Sequence, residues 1–167
     1  MLSGTVALQG RTPGTSAYQV SLQITLSQPG SVAAGNVHAA AVATTDVNGG
    51  FTLAGLAPGT YDVEVKQEQA LSRKVTNVTL VAGNNPVVNF GTLLAGDVNN
   101  SNAVTLSDYA ILRLTFGKCL GDDGYDARAD LNGSGCVTLG DYALLRTNFG
   151  QVGPLSVGPN VATAAGR

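Results

Sequence analysis

The side chains that could do chemistry in this chain are concentrated near its C-terminal end, in two stretches of similar sequence. Residues 96–117 align with residues 129–150 at a separation of 33 positions. Within each stretch, oxygen-bearing residues alternate over a segment of twelve residues that begins and ends with Asp. A hard cation such as calcium is bound in this way, because it takes about six to eight oxygen ligands, and the last residue of the loop supplies one of them as a carboxylate. The repeat therefore predicts two calcium loops.

The predicted ligands are oxygens at equivalent positions of the two loops. In the first loop they come from Asp97, Asn99, Ser101, the Ala103 carbonyl, Thr105 and Asp108. In the second loop they come from Asp130, Asn132, Ser134, the Cys136 carbonyl, Thr138 and Asp141. Each loop supplies only two carboxylates, so we expect a modest affinity that suits calcium-rich surroundings outside the cell. The alternative is a pair of Asx-rich turns that cap helices without binding a metal.

A helix is predicted after each loop, beginning near Leu106 or Leu139 and ending at Gly117 or Gly150. No helix is predicted before the first loop, which distinguishes the repeat from a paired-helix EF-hand. Apolar residues at helical spacing predict the core that the two helices share. They are Tyr109, Leu112, Phe116, Tyr142, Leu145 and Phe149, and we expect them to pack with Val104 and Val137.

This arrangement of two loop–helix repeats resembles type I dockerin modules, and the resemblance covers about residues 94–152. It implies a small all-α dockerin fold with two EF-hand-like calcium loops that hold two Ca²⁺. It also implies a partner, which is a cohesin module of a scaffoldin or cell-surface protein. The setting implied is a secreted, cellulosome-like assembly for polysaccharide catabolism.

The face expected to meet the partner consists of the outward residues of the two helices. They are Leu106, Ser107, Ala110, Arg113, Leu114, Leu139, Gly140, Ala143, Arg146 and Thr147. Leu106 and Leu139 depart from the hydroxyl-rich pair of many dockerins, and they would act as apolar anchors. The alternative is that both leucines belong to the core. Because the two repeats present similar faces, a half-turn rotation of the module is expected to offer the partner an equivalent surface.

Cys119 and Cys136 are the only two cysteines, and they predict a disulfide bond. Cys119 follows the first helix and Cys136 lies just before the second, so antiparallel helices would bring the two thiols together. The bond would close a loop of about 17 residues and stabilise the fold by roughly 3 kcal/mol. The alternative is a pair of free thiols.

The first half of the chain contains seven short apolar stretches separated by turn sequences, which predicts an all-β, seven-stranded sandwich over residues 1–93. The stretch 45–63 resembles carboxypeptidase regulatory-like and Cna-B-like domains. The resemblance implies an Ig-like or prealbumin-like fold that serves as a spacer or stabilising neighbour. Asp62, Glu64 and Lys66 alternate on one predicted strand and are interpreted as a solvated face.

The expected organisation is therefore two domains and a tail. The sandwich covers residues 1–93, the docking module covers residues 94–152, and residues 153–167 form a flexible tail rich in Gly, Pro and Ala. The link between the domains, residues 93–96, is short and partly apolar. We expect the two domains to abut rather than to swing freely.

Several function classes find no support in the sequence. It has no His-based nucleophile arrangement and no phosphate-binding Gly loop, and its single histidine, His38, is interpreted as an ordinary strand residue. It also has no basic run with interleaved aromatics and no membrane-inserting apolar run. The sequence favours a non-enzymatic, secreted portion of a larger protein that is monomeric when free. The alternative function is a calcium-rigidified structural segment without a cohesin partner.

Overall fold

The computed structural model describes residues 1–30 and 37–157. Its strands are β1 (Leu2–Leu8), β2 (Ser21–Ser27), β3 (Val37–Thr44), β4 (Gly50–Leu53), β5 (Gly59–Lys66), β6 (Arg73–Leu80), β7 (Val88–Leu93) and β8 (Leu155–Val157). Its α-helices are α1 (Leu106–Thr115) and α2 (Leu139–Thr147), and short 3₁₀ turns occupy Ser16–Tyr18 and Ala127–Ala129.

The strands of the first half form the predicted sandwich. One sheet has the order β4-β1-β7, and the other has the order β3-β2-β5-β6-β8. Strand β2 shows why the two sheets stack. Its alternate residues Leu22, Ile24 and Leu26 are buried while their neighbours are exposed or half-buried, so one face of the sheet is apolar. Phe51 and Phe90 from the opposite sheet join the same core.

Strand β8 returns the chain to the sandwich after the second helix. Residues 155–157 pair in parallel with β6, with Leu155 opposite Arg73. This part of the expected flexible tail is therefore a strand at the edge of the larger sheet. Residues 158–167 of that tail lie outside the described residues.

Both predicted helices are present, and each begins with the same cap. Thr105 and Thr138 are the N-cap residues, and the carboxylates of Asp108 and Asp141 accept hydrogen bonds from the backbone N–H groups of these caps. Such capping boxes satisfy helix N–H groups that would otherwise lack partners, and they place a negative charge near the positive end of the helix. The sequence therefore fixes where α1 and α2 start.

The two repeats are tied together by matching backbone hydrogen bonds. Gly117 N and Leu120 N donate to Val137 O (2.8 Å) and Gly135 O (2.7 Å). At the positions 33 residues away, Gly150 N donates to Val104 O and Gly153 N to Asn102 O, at 2.8 and 2.9 Å. The segment after each helix thus pairs with the predicted calcium loop of the other repeat.

The disulfide bond lies within one of these two pairings. Cys119 and Cys136 face each other as an isolated antiparallel bridge, and their sulfur atoms are bonded. The equivalent bridge in the other pairing joins Ala103 and Val152. The module therefore has an internal pseudo-two-fold arrangement in which only one of two equivalent crossings carries a covalent bond.

The sandwich and the helical module share an interface. Leu71, from the connection between β5 and β6, is fully buried in the core of the helical module beside residues such as Val104 and Leu112. Arg11 Nε donates to Leu131 O at 3.2 Å, and Asn148 Nδ2 donates to Gln9 Oε1 at 2.6 Å. The two halves therefore abut.

The interpretation of β5 as carrying a solvated polar face is wrong for two of its three residues. Asp62 is buried and accepts hydrogen bonds from Gly30 N and Asn77 N, both at 3.0 Å. Lys66 is largely covered and lies against Asp97 of the helical module. The alternation of charges is typical of a solvent-facing strand, but the neighbouring loops and the helical module cover that side of β5.

Candidate calcium loops and docking face

The first loop, residues 97–108, is organised around two carboxylates. Asp97 Oδ1 accepts a hydrogen bond from Ser101 N, and Asp97 Oδ2 accepts one from Asn102 N, both at 2.7 Å. Asp108 Oδ1 accepts from Asn99 N at 3.0 Å, and Asp108 Oδ2 accepts from Thr105 N at 2.8 Å. The aspartates at both ends of the loop thus accept hydrogen bonds from backbone N–H groups inside it, and these bonds bend the backbone around the two carboxylates.

The second loop, residues 130–141, repeats this geometry. Ser134 N and Gly135 N donate to the two oxygens of Asp130 at 3.0 and 2.8 Å. Asn132 N and Thr138 N donate to the two oxygens of Asp141 at 3.1 and 2.8 Å. The duplication seen in the sequence is therefore a duplication of hydrogen-bond geometry.

The sixth position of each loop has a left-handed backbone. Gly135 has a φ of 87°, and the equivalent Asn102 has a φ of 64°. Glycine adopts this conformation without steric cost, and Asn is one of the few other residues that tolerate it. Both loops can therefore make the same sharp turn despite the different residues.

The chemistry of the loops suits a hard divalent cation. Four aspartates of the loops are buried: Asp97, Asp108, Asp130 and Asp141. The other side-chain oxygens at the predicted ligand positions belong to amide and hydroxyl groups. Among residues 1–30 and 37–157, the only ion pair to any of these carboxylates joins Lys66 Nζ to Asp97 Oδ2 at 2.7 Å. A buried carboxylate is costly unless it is paired or coordinates a metal. The loop residues therefore fit a calcium ion.

The described part of the chain contains no group of three or more His, Cys, Asp and Glu side chains placed to hold a metal ion. Each loop instead combines two carboxylates with neutral oxygens. This donor set is typical of calcium rather than of zinc or copper.

Tyr125 lies at the edge of the second loop. Its hydroxyl donates to Asp130 Oδ2 at 3.1 Å. Burial raises the pKa of Tyr125 to about 12, and the hydrogen bond to Asp130 adds to the shift. The Tyr125 hydroxyl therefore remains protonated and donates its hydrogen bond to Asp130 Oδ2 throughout the neutral pH range.

All ten residues predicted to meet the partner are exposed. Leu106 and Leu139 are each 71% exposed, so they do not lie in the core as the alternative interpretation requires. They occupy the first residue of α1 and of α2. Two large apolar side chains thus stand at equivalent, solvent-facing points of the module.

Two matching grooves lie beside these leucines. Leu139 lines one of them together with Leu112 and Arg113 of α1 and Phe116, which follows α1. Leu106 lines the other with the equivalent residues Leu145 and Arg146 of α2 and Phe149, which follows α2. Tyr109 and Tyr142 border both grooves, and their ring centroids are 5.9 Å apart. The pseudo-two-fold arrangement therefore extends to the surface.

The expectation that both phenylalanines belong to the core is wrong. Phe116 is 46% exposed and Phe149 is 49% exposed, whereas Leu112, Leu145, Val104 and Val137 are buried as predicted. Each Phe follows the last residue of its helix by one or two positions, where the chain leaves the helix–helix contact. The phenylalanines consequently wall the grooves.

Comparison with known families and structures decides what these loops and grooves belong to. The model of the carboxypeptidase regulatory-like domain family matches residues 2–93. The model of the dockerin type I domain family matches residues 95–150. The chain belongs to the carboxypeptidase regulatory-like domain family and continues into a dockerin type I domain. Both the sandwich and the loop–helix repeats are thereby assigned. No curated protein matches the chain.

Solved structures resemble the regulatory-like and dockerin domains together. One is a C-terminal interface mutant of a type II cohesin–X–dockerin complex from Acetivibrio cellulolyticus, with a TM-score of 0.69 and 25% identity. Another is an N-terminal interface mutant of such a complex from the same organism, with a TM-score of 0.66 and 25% identity. In both cases the match covers 90% of this chain and 96% of that chain.

Sequence reasoning missed several residues that hold the dockerin loops in place. Thr105 and Thr138 were predicted as ligands but not as helix caps, although a Thr three residues before an Asp is the sequence signal of a capping box. Leu71 and Lys66 reach the dockerin domain from the sandwich, and no local pattern marks such contacts. Among the described residues, neither helix is long and apolar enough to cross a membrane.

Proposed function

We propose that this chain is a calcium-dependent docking unit that binds a cohesin and so tethers its parent protein to a scaffoldin or cell-surface protein. The docking module covers residues 94–152, the sandwich of residues 1–93 is its stabilising neighbour, and residues 153–167 form the tail. Both matched families are non-catalytic modules. The dockerin family match and the similarity to cohesin–dockerin complexes support this function and an extracellular setting.

In this proposal each loop holds one Ca²⁺ through the six residues predicted from the sequence. Calcium supplies the positive charge that two buried carboxylates per loop require. The carboxylates of Asp108 and Asp141 also hold the first turns of α1 and α2 through the capping boxes. Calcium binding therefore also fixes the positions of Leu106 and Leu139, the first residues of the two helices.

The single observation that supports docking most strongly is the pair of equivalent grooves. Each groove combines an exposed leucine, a half-exposed phenylalanine and an arginine at its edge. Apolar anchors surrounded by polar groups are the features that dominate binding energy at protein interfaces. The complementary cohesin surface would present apolar side chains to the grooves and acidic groups to Arg113 and Arg146.

The docking face can be tested by calorimetric titration with a panel of type I and type II cohesins in calcium. The double variant Leu106→Glu/Leu139→Glu should lose binding by at least about a hundredfold, because it puts two charges at apolar anchors. Leu120→Glu is the matched control, since Leu120 is 78% exposed and lines neither groove. Wild-type affinity in the double variant would contradict this docking face.

The equivalence of the grooves also supports two binding orientations related by a half-turn. In that case Arg113→Glu or Arg146→Glu alone leaves one usable orientation, and only the double variant abolishes binding. If Arg113→Glu alone abolished binding while Arg146→Glu had no effect, a single orientation would be established. Calorimetry with the same cohesin distinguishes these outcomes.

A further inference from the structure

The sandwich places a fixed positive charge on the first calcium loop. Lys66 Nζ donates to Asp97 Oδ2 at 2.7 Å, to Ala70 O at 2.7 Å and to Gln67 O at 3.0 Å. These acceptors use all three N–H groups of the ammonium, and the Lys66 side chain is only 14% exposed. The cation is thus anchored by the β5–β6 connection rather than free to move in solvent.

Among the residues that the structure describes, no cation pairs with the equivalent carboxylate of the second loop. Asp130 Oδ2 is equivalent to Asp97 Oδ2, the atom that Lys66 contacts. It accepts a hydrogen bond from the neutral hydroxyl of Tyr125 instead. Arg11 influences Asp130 through its charge, but among the described residues it forms no ion pair with Asp130 within 4.0 Å. The remaining backbone contacts of the two Asp residues are alike. The two loops therefore differ in their counter-charge, and also in the disulfide bond at Cys136, which has no counterpart at Ala103.

The sandwich also forms a side-chain pair with the sixth position of the first loop, whereas its contacts with the second loop, from Arg11 and Gln69, go to backbone carbonyls. Ser72 N donates to Asn102 Oδ1 at 2.8 Å, and Asn102 Nδ2 donates to Ser72 Oγ at 2.9 Å. The equivalent residue of the second loop, Gly135, has no side chain for such a pair. The sandwich therefore holds the first loop at its first and sixth positions.

We propose that Lys66 is a built-in counter-cation and positioning residue of the first loop, which keeps that loop ordered when calcium is removed. This inference rests on the proposed binding of calcium by both loops. Asp97 and Asp108 are both buried, and their mutual repulsion opposes a folded, metal-free loop. Lys66 neutralises one of these two charges. The second loop lacks this compensation, so chelation should open it first.

Amide hydrogen exchange on the full chain tests the proposal, with Ser101 and Asn102 reporting on the first loop and Ser134 and Gly135 on the second. In calcium, all four amides should be protected. In chelator, we expect the wild-type first loop to stay at least about tenfold more protected than the second. The variant Lys66→Met should remove this difference in chelator by exposing Ser101 and Asn102.

Two variants separate charge compensation from simple packing. Lys74→Met is the matched control, because Lys74 pairs with Asp62 at 3.7 Å within the sandwich and should leave loop exchange unchanged. Adding Asp97→Asn to Lys66→Met removes the uncompensated charge but keeps one acceptor oxygen, so protection of one of the two amides, Ser101 or Asn102, should return in chelator. A merely structural role of Lys66 would give no such recovery.

The results also separate this proposal from the calcium proposal on which it rests. If the amides of Ser134 and Gly135 exchange equally in calcium and in chelator, calcium binding itself is overturned and this inference fails with it. If they respond to calcium but both loops open equally in the wild-type chain, only the role of Lys66 is overturned. An unchanged first loop in Lys66→Met would likewise overturn that role alone.

Discussion

Individual carboxylates hold both the loop geometry and the helix starts of the dockerin domain. Asp108 and Asp141 each accept hydrogen bonds from two backbone N–H groups and close a capping box. Their alternating pattern and the spacing of the repeat were readable from the sequence because a calcium loop is a local structure. Their burial was not readable, because it depends on how the two repeats and the sandwich pack.

Replacement of one closing carboxylate should remove one calcium site. Asp108→Asn or Asp141→Asn leaves a side chain of nearly the same shape with half of the loop's negative charge, so the affinity of that loop should fall at least about tenfold. Calorimetric calcium titration should then give one site instead of two. Asp123→Asn, at an exposed position outside both loops, is the control. Two unchanged sites in either loop variant would refute the ligand assignment.

Tyr125 should titrate late. Burial and the hydrogen bond to Asp130 raise its pKa to about 12. A raised folded-state pKa means that its stabilising contribution is complete below the unfolded value of about 10 and is lost as the pH rises through about 12. Ultraviolet titration of the folded, calcium-loaded chain should show a late tyrosine ionisation that disappears in Tyr125→Phe. If the titration curve of Tyr125→Phe lost no late ionisation relative to the wild-type chain, the contact would be absent.

The strands and helices were predicted well from the sequence, but the packing between the two helices was predicted only in part. Strong strand alternation and the Gly endings gave the seven strands and the two helices. The relation between α1 and α2 was only partly predictable, since Phe116 and Phe149 have core-like spacing but lie at helix ends beyond the close contact. Helical periodicity identifies a face and gives no information on where the facing helix ends.

The unlinked crossing between the repeats should accept a second disulfide bond. Ala103 and Val152 occupy the positions equivalent to Cys136 and Cys119, and they face each other in the same type of bridge. Ala103→Cys/Val152→Cys should therefore form a bond that adds about 2–4 kcal/mol to the free energy of unfolding. Denaturation of the oxidised variant and of each single-cysteine variant measures this gain. Free thiols at both positions would argue against the pseudo-two-fold geometry.

The whole molecule consists of two domains in direct contact, and the sandwich contributes Leu71 to the core of the dockerin domain. Leu71 and Lys66 belong to the sandwich in sequence but contact the dockerin domain. Such contacts join residues far apart along the chain, and they arise only when both domains are folded. Sequence patterns therefore predicted that the domains abut, but not which residues meet.

Leu71 provides a stability test of this shared core. Leu71→Ala should lower the free energy of unfolding by about 2–5 kcal/mol, because it leaves a cavity in the dockerin core. Leu120→Ala, at a largely exposed position, should change it by no more than about 0.5 kcal/mol. Chemical denaturation in calcium compares the two variants. Equal, small effects would place Leu71 outside the core.

The central claim is calcium-dependent docking to a cohesin. Its most direct test is calorimetric titration of the wild-type chain with the cohesin panel, carried out once in millimolar calcium and once in chelator. We predict tight binding of at least one cohesin in calcium and loss of that binding in chelator. Calcium uptake without binding of any cohesin, or equal binding in both buffers, would contradict the claim.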